Sequence, residues 1–148
     1  MSGATLRDAD LGSAHLIDVN LSSADLNGAN LRDANLGLLN AANADLSRTD
    51  LRDANLAAAN LGNANLGLAN LAGANLHYAN LSGAHLLYAD LSIANLAGAN
   101  LSDVVEGSQE QLAQAKSLHD ATMPDGQKYE DGLKSEGGGE DKETSGSS

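Results

Sequence analysis

The run Ala54-Asn55-Leu56-Ala57-Ala58-Ala59-Asn60-Leu61-Gly62-Asn63-Ala64-Asn65-Leu66 sets a leucine at every fifth residue, an alanine two residues before it and an asparagine between the two. Followed outward, the leucine column runs from Leu6 to Leu101 and is broken at Ala41, where Leu39 stands in the preceding alanine slot. A period of five suits neither a helix, which repeats every ~3.6 residues, nor a flat alternating strand. In a short extended piece, residues two apart point the same way, so the Ala and Leu of a unit face one side and the Asn or Asp between them faces the other. The last two positions must then turn. They hold residues that turn a backbone readily, as in Gly12-Ser13, Asn27-Gly28, Gly62-Asn63, Ser82-Gly83 and Ala97-Gly98. An extended piece and a bend in every unit wind the chain into a coil.

Unbroken Ala-(Asn/Asp)-Leu-x-x from residue 4 to about 103 resembles the pentapeptide-repeat proteins. The resemblance implies an all-β solenoid, a right-handed quadrilateral β-helix with one unit on each side of a coil. The twenty slots from Leu6 to Leu101 then give about five coils, a stack ~24 Å tall at ~4.8 Å per layer. Residue n lies over n+20, which lines up Asn20, Asn40, Asn60, Asn80 and Asn100 on one side and Asn35, Asn55, Asn75 and Asn95 on another. The Leu39/Ala41 exchange keeps the volume of its layer by swapping large for small.

Three parts are expected: the repeat β-helix over 1–105, a C-terminal cap over 106–131, and a disordered acidic tail over 132–148. Ser108-Gln109-Glu110-Gln111 has the form of a capping box, which starts a short helix running to about Lys116 with Leu112, Ala115 and Leu118 toward the last coil. Met123-Pro124-Asp125-Gly126 reads as the turn that ends it. The tail is Gly-, Ser- and Glu-rich, the composition of chains that bury too little to fold. At the amino end the repeat begins within a few residues of Met1 without such a device. An open β-edge there invites pairing, so either a second copy joins through the first coil or an upstream segment covers it.

The net charge of -12 is shared between repeats and C-terminal part; residues 1–103 hold ten Asp and four Arg, a net of six negative. No basic patch is present to neutralise phosphates, which argues against direct nucleic-acid binding. There is no cysteine, hence no disulfide framework or thiolate ligand. Neither a secretory leader nor a membrane-length apolar run is seen, and a cytoplasmic location is expected.

Chemistry-bearing residues fall apart on the coil map. His15 and His77 share a side but are separated along it, and His85 is on another, so no metal site, cofactor or catalytic constellation is expected. Arg7, Arg32 and Arg52 stand beside Asp8, Asp33 and Asp53 and predict local surface ion pairs. The Asn columns read as side chains that satisfy backbone groups at each bend, in preference to an ice-binding face that orders water. The outward apolar residues Leu68, Leu87 and Tyr88 form a candidate partner-contact patch, and Leu38 and Tyr78 lie on another side. The leading expectation is a non-enzymatic protein-interaction or scaffold module with an unknown protein partner. The alternative follows from the resemblance, since some family members bind DNA gyrase as acidic mimics of duplex DNA. Duplex DNA carries one charge per ~1.7 Å, whereas the net six here over ~24 Å give one per ~4 Å. The absence of Phe and of projecting loops also separates this chain from the dimerising gyrase-active members.

Overall fold

The computed structural model describes residues 1–130; the expected tail over 132–148 lies outside the described residues. Every outward Asn/Asp position forms a parallel bridge to the residue twenty further on, from Thr5–Asp25 to His85–Val105. Four sides result. Side 1 carries Thr5, Asp25, Asp45, Asn65, His85 and Val105, and side 2 carries Asp10, Asn30, Asp50, Asn70 and Asp90. Side 3 carries His15 and then Asn35 to Asn95, and side 4 carries Asn20 to Asn100.

One unit shows how the backbone is satisfied. Leu56 N–H donates upward to Asn75 O at 2.7 Å, Asn75 N–H donates back to Ala54 O at 2.9 Å, and Ala58 N–H donates to His77 O at 2.8 Å. The turn closes on itself through Ala59 N–H to Leu56 O at 3.0 Å. Its second residue has positive φ in repeat after repeat, from 52° at Ile93 to 73° at Gly28. That is the requirement of a type II turn, which Gly, Asn and Asp meet at least cost.

The inward leucines and alanines fill the tube from side to side. Leu56, Leu61, Leu66, Leu71 and Leu76 are all 0% exposed, and the exchanged Leu39 and Ala41 are 2% and 0% exposed, so the swap is accommodated. Thr49 takes an alanine slot, and its buried hydroxyl donates to Leu46 O at 2.6 Å. In the first layer Leu6, Leu11, Leu16 and Val19 are partly buried, packed on one side against the layer above.

At the carboxyl end side 2 has no bridge beyond Asp90 among the described residues. A helix, α1 (Gln109–Ala113), follows there, shorter than the run to Lys116 expected from sequence. Its capping box is formed: Gln111 N–H donates to Ser108 Oγ at 3.1 Å and Ser108 N–H to Gln111 Oε1 at 2.7 Å. The Gln111 amide also donates to Leu86 O and Ala89 O, tying α1 to the last complete layer. Parallel pairing then resumes, with Asn95–Ser117 on side 3 and Asn100–Thr122 on side 4, at a separation of 22 residues. α1 absorbs the two extra residues, and Leu118 and Ala121 return to the core at 7% and 0% exposure. The turn over 123–126 reverses the chain, and Lys128 pairs antiparallel with Thr122.

Candidate interaction surfaces

The Asn columns are consumed by the fold. Each Oδ1 accepts from the backbone N–H two residues on, as Asn75 does from His77 at 3.1 Å. On side 3 each Nδ2 donates to the Oδ1 one layer below: Asn55 to Asn35 at 3.1 Å, Asn75 to Asn55 at 3.2 Å and Asn95 to Asn75 at 3.4 Å. Side 4 repeats this from Asn60 to Asn40 and upward. Asp accepts at the same turn but has nothing to donate, so the adjacent Asp25 and Asp45 of side 1 break the ladder.

Charge is distributed unevenly around the tube. Of the fourteen charged residues in 1–103, twelve sit on sides 1 and 2 or the turns that follow them, while sides 3 and 4 have Asp18 and Asp103 alone. The expected ion pairs are partly redrawn. Arg32 does meet Asp33 at 3.6 Å, but Arg7 reaches Asp25 of the next layer at 3.2 Å and Arg52 clamps Asp50 at 2.6 Å. Asp8 and Asp53 are unavailable to them, because second-turn side chains lean along the tube and these two lie over Gly28 and Gly73 of the layer above. Arg52 holds the Asp50 carboxyl below its ordinary range, and the Ser92 hydroxyl and N–H do the same for Asp90. For Asp25 the Asn27 N–H is the main cause and Arg7 adds to it. Arg48 has no acidic partner among the described residues.

The histidines stay apart. His77 Nδ1 lies 2.9 Å from Ala97 O with its ring 4.1 Å from that of Tyr78, and His85 faces Glu106 at 3.9 Å. No group of three metal-ligating side chains occurs among the described residues. None of the helices among them is long and apolar enough to cross a membrane.

The three residues singled out from sequence come together on the edge between sides 1 and 2. Leu68 and Tyr88 stack in one column with Arg48 beneath them, and Leu87 lies beside Tyr88. Leu68, Leu87 and Tyr88 are 52%, 41% and 75% exposed, so α1 and the segment after it leave them open. Leu87 is a wall of two depressions. One is an open groove of about 780 Å³ along side 1 that also meets Arg7, Asp45, Arg48 and Leu68; the other, about 470 Å³, meets Tyr88, Asp90 and Gln111. Sequence reading passed over Arg48, Ile17 and Ile93. The last two are 53% and 66% exposed, and the signal for Ile93 was available in its slot. Leu38, Leu68, Tyr78, Tyr88 and Ile93 all occupy the positive-φ position of a turn, where a large side chain is disfavoured locally.

A single-layer repeat of Ala-(Asn/Asp)-Leu, four sides and a filled core define the class. The profile described as "Pentapeptide repeats" matches in eight copies over residues 1–37, 39–67, 49–87 and 64–103, and the chain belongs to this family of right-handed quadrilateral β-helices. Among solved structures it is similar to QnrB1, a plasmid-mediated fluoroquinolone resistance protein, at 20% identity and a TM-score of 0.60, over 84% of this chain. The chain spans 66% of the QnrB1 chain. It is also similar to HetL of the cyanobacterium Nostoc sp. strain PCC 7120, a pentapeptide-repeat protein involved in heterocyst differentiation regulation (34% identity, 87% of this chain and 68% of that one, TM-score 0.33). A third is Rfr23 of the cyanobacterium Cyanothece 51142 (36% identity, 66% of this chain and 64% of that one, TM-score 0.42). No curated protein matches the chain by sequence.

Proposed function

We propose that the chain is a non-enzymatic protein-interaction module that holds a protein partner along the edge built from Arg48, Leu68, Leu87 and Tyr88. The observation that carries this reading is local. Leu68 and Tyr88 are exposed at positions with φ of 61° and 56°, where folding alone favours Gly, Asn or Asp. An unfavourable local choice that stays exposed among the described residues is a candidate for contact with another chain. Tyr and Arg are the residues that most often anchor protein interfaces, and Arg48 brings to the foot of the patch a cation with no acidic partner among the described residues. The partner chemistry that fits is an apolar side chain next to a carboxylate. A core filled by Leu and Ala leaves substrates no enclosed site in the tube, and α1 with the antiparallel segment around Lys128 acts as the cap of the last layer.

The test compares Leu87→Ser/Tyr88→Ser with the wild-type chain in affinity capture. Ser already occupies the first turn slot, that of Leu87, at Ser22 and Ser82, and the second, that of Tyr88, at Ser13 and Ser23, so the double variant keeps its fold. Loss of the partner recovered by the wild type is the expected result; unchanged recovery rejects the patch. The gyrase alternative has the carboxylates of sides 1 and 2 in its favour. Their four arginines leave a net of four negative over the stack, roughly one per ~6 Å against one per ~1.7 Å in DNA. A supercoiling assay showing inhibition or drug protection at micromolar protein would reverse this preference.

A further inference from the structure

The edge diagonally opposite the proposed patch, between sides 3 and 4, has a composition of its own. Its turns place Ile17, Leu38 and Tyr78 in water at 53%, 56% and 65% exposure. Leu38 and Tyr78 hold φ of 59° and 58°, the slot filled by Asp in Asp8, Asp33 and Asp53 on the other edges. The flanking Asn ladders have their donors and acceptors engaged within the chain. Within the first five layers Asp18 is the one charged residue on this edge, and Asp120 follows in the layer above Gly98.

Large and small residues follow an order along this edge. Reading the first turn position layer by layer gives Ile17, Gly37, Ala57, His77 and Ala97; the second gives Asp18, Leu38, Ala58, Tyr78 and Gly98. A two-fold axis through the middle layer turns this order onto itself, large facing small in the first turn position and apolar facing aromatic at Leu38 and Tyr78 in the second. Ile17 meets Ala97 and Gly37 meets His77, Leu38 meets Tyr78, and the small pair Ala57 and Ala58 meets its own copy, where close approach is easiest. Asp18 comes opposite Gly98, over which the Tyr78 ring lies, so the carboxylate faces a ring that carries a hydroxyl donor.

We propose that two copies of the chain pair side by side and antiparallel along this edge. Charge selects the occupant as well as the place. Sides 1 and 2 carry a net of four negative in residues 1–103 and repel a second copy, whereas the five paired layers of the edge between sides 3 and 4 bring only Asp18 into the contact, with Asp120 one layer beyond it. The pairing is isologous, so it closes at two copies and does not run on into a filament. The contact is a stripe about four layers long, ~19 Å, and its area falls below the ~1,200 Å² of stable interfaces, so the dimer is concentration-dependent. In it the two Arg48–Tyr88 edges point away from each other, which makes the module bivalent. The inference rests on different residues from the proposed partner patch and stands or falls apart from it.

Because the chain has no cysteine, single thiols report the geometry directly. Ala58→Cys sits on the two-fold axis and Ser47→Cys on the far edge. Under mild oxidation Ala58→Cys is expected to form a disulfide dimer more than about tenfold faster, since pairing raises its effective concentration; equal rates overturn the proposal. Mixing Ile17→Cys with Ala97→Cys is expected to link one variant to the other, and linkage of each to itself alone overturns the antiparallel arrangement. Sedimentation of Leu38→Asp/Tyr78→Asp is expected to show a monomer at concentrations where the wild type is a dimer. Asp suits both backbone positions, and an unchanged melting temperature verifies that the variant is folded. If that variant stays dimeric while Leu11→Asp in the first coil is monomeric, pairing runs through the first coil and the proposal fails.

Discussion

Within one unit the inward residue and the second turn residue are two positions apart and obey opposite rules. Every inward slot sees the same surroundings, the leucines of the layers above and below, and it is filled by Leu with one compensated exchange at Leu39 and Ala41. The second turn slot is equally uniform in backbone, with φ from 52° to 73°, yet it holds Asp, Ser, Asn, Arg, Ala, Gly, Leu, Tyr and Ile. Uniform surroundings with a uniform residue signify packing. Uniform backbone with varied residues, some of them poor for that backbone, is the pattern on which the proposed partner contacts rest.

The largest effect that tests this contrast is in the core. Leu56→Ala, in the middle of the stack at 0% exposure, is expected to cost about 2–5 kcal/mol in chemical denaturation. Leu6→Ala, at a partly buried site of the first layer, should cost clearly less. Equal costs would mean that the layers are not the packing units. Next comes the outward ladder. Asn75→Asp removes the donor that bridges to Asn55 and should cost about 1 kcal/mol, while Asp45→Asn, above Asp25 on side 1, should stabilise by relieving a like-charge neighbour. The same sign for both substitutions would show that the side-chain ladders do not matter.

How much of this was legible in the sequence follows from the same contrast. The period of five, the inward Leu/Ala and the n+20 columns were readable because each is set by repetition, and a repeated signal outweighs any local ambiguity. The capping box at Ser108 and Gln111 was readable for its own reason, a reciprocal pair at fixed spacing. The length of α1 and the resumption of pairing at Ser117 and Thr122 were not, because nothing repeats there and the offset grows from 20 to 22. Arg7 and Arg52 were assigned to their sequence neighbours, whereas the lean of second-turn side chains onto the next layer sends Asp8 and Asp53 elsewhere. For the patch, sequence could group Leu68, Leu87 and Tyr88, but their exposure depends on where the C-terminal segment lies.

A smaller and opposite effect is expected from repairing a poor turn residue. Ile93 is β-branched, 66% exposed and held at φ 52°, while its N–H bond to Gln114 O is made by the backbone and survives substitution. Ile93→Asn should therefore raise stability by about 0.5–1 kcal/mol, measured as a higher urea midpoint with unchanged slope. A loss of stability would mean that the large residues of this slot do serve the fold, and the functional reading of Leu38, Leu68, Tyr78 and Tyr88 would lose its basis.

The smallest effect expected is acid sensitivity, and it separates the charged half of the tube from the half built on Asn ladders. Asp50 is held below the usual carboxylate range mainly by its hydrogen bond from Arg52, and Asp90 by the Ser92 hydroxyl. Their folded pKa values lie below the unfolded ones, so the stability they contribute is fully present above about pH 4 and drains away as the pH falls through the lower, folded values. The Asn ladders of sides 3 and 4 have nothing to titrate. The melting temperature should therefore be flat across the neutral range and decline below about pH 4. Asp50→Asn/Asp90→Asn should make that decline shallower. Arg52→Gln should do so too, because it returns Asp50 toward its unfolded value. A decline unchanged by any of these would place the acid response outside Asp50 and Asp90.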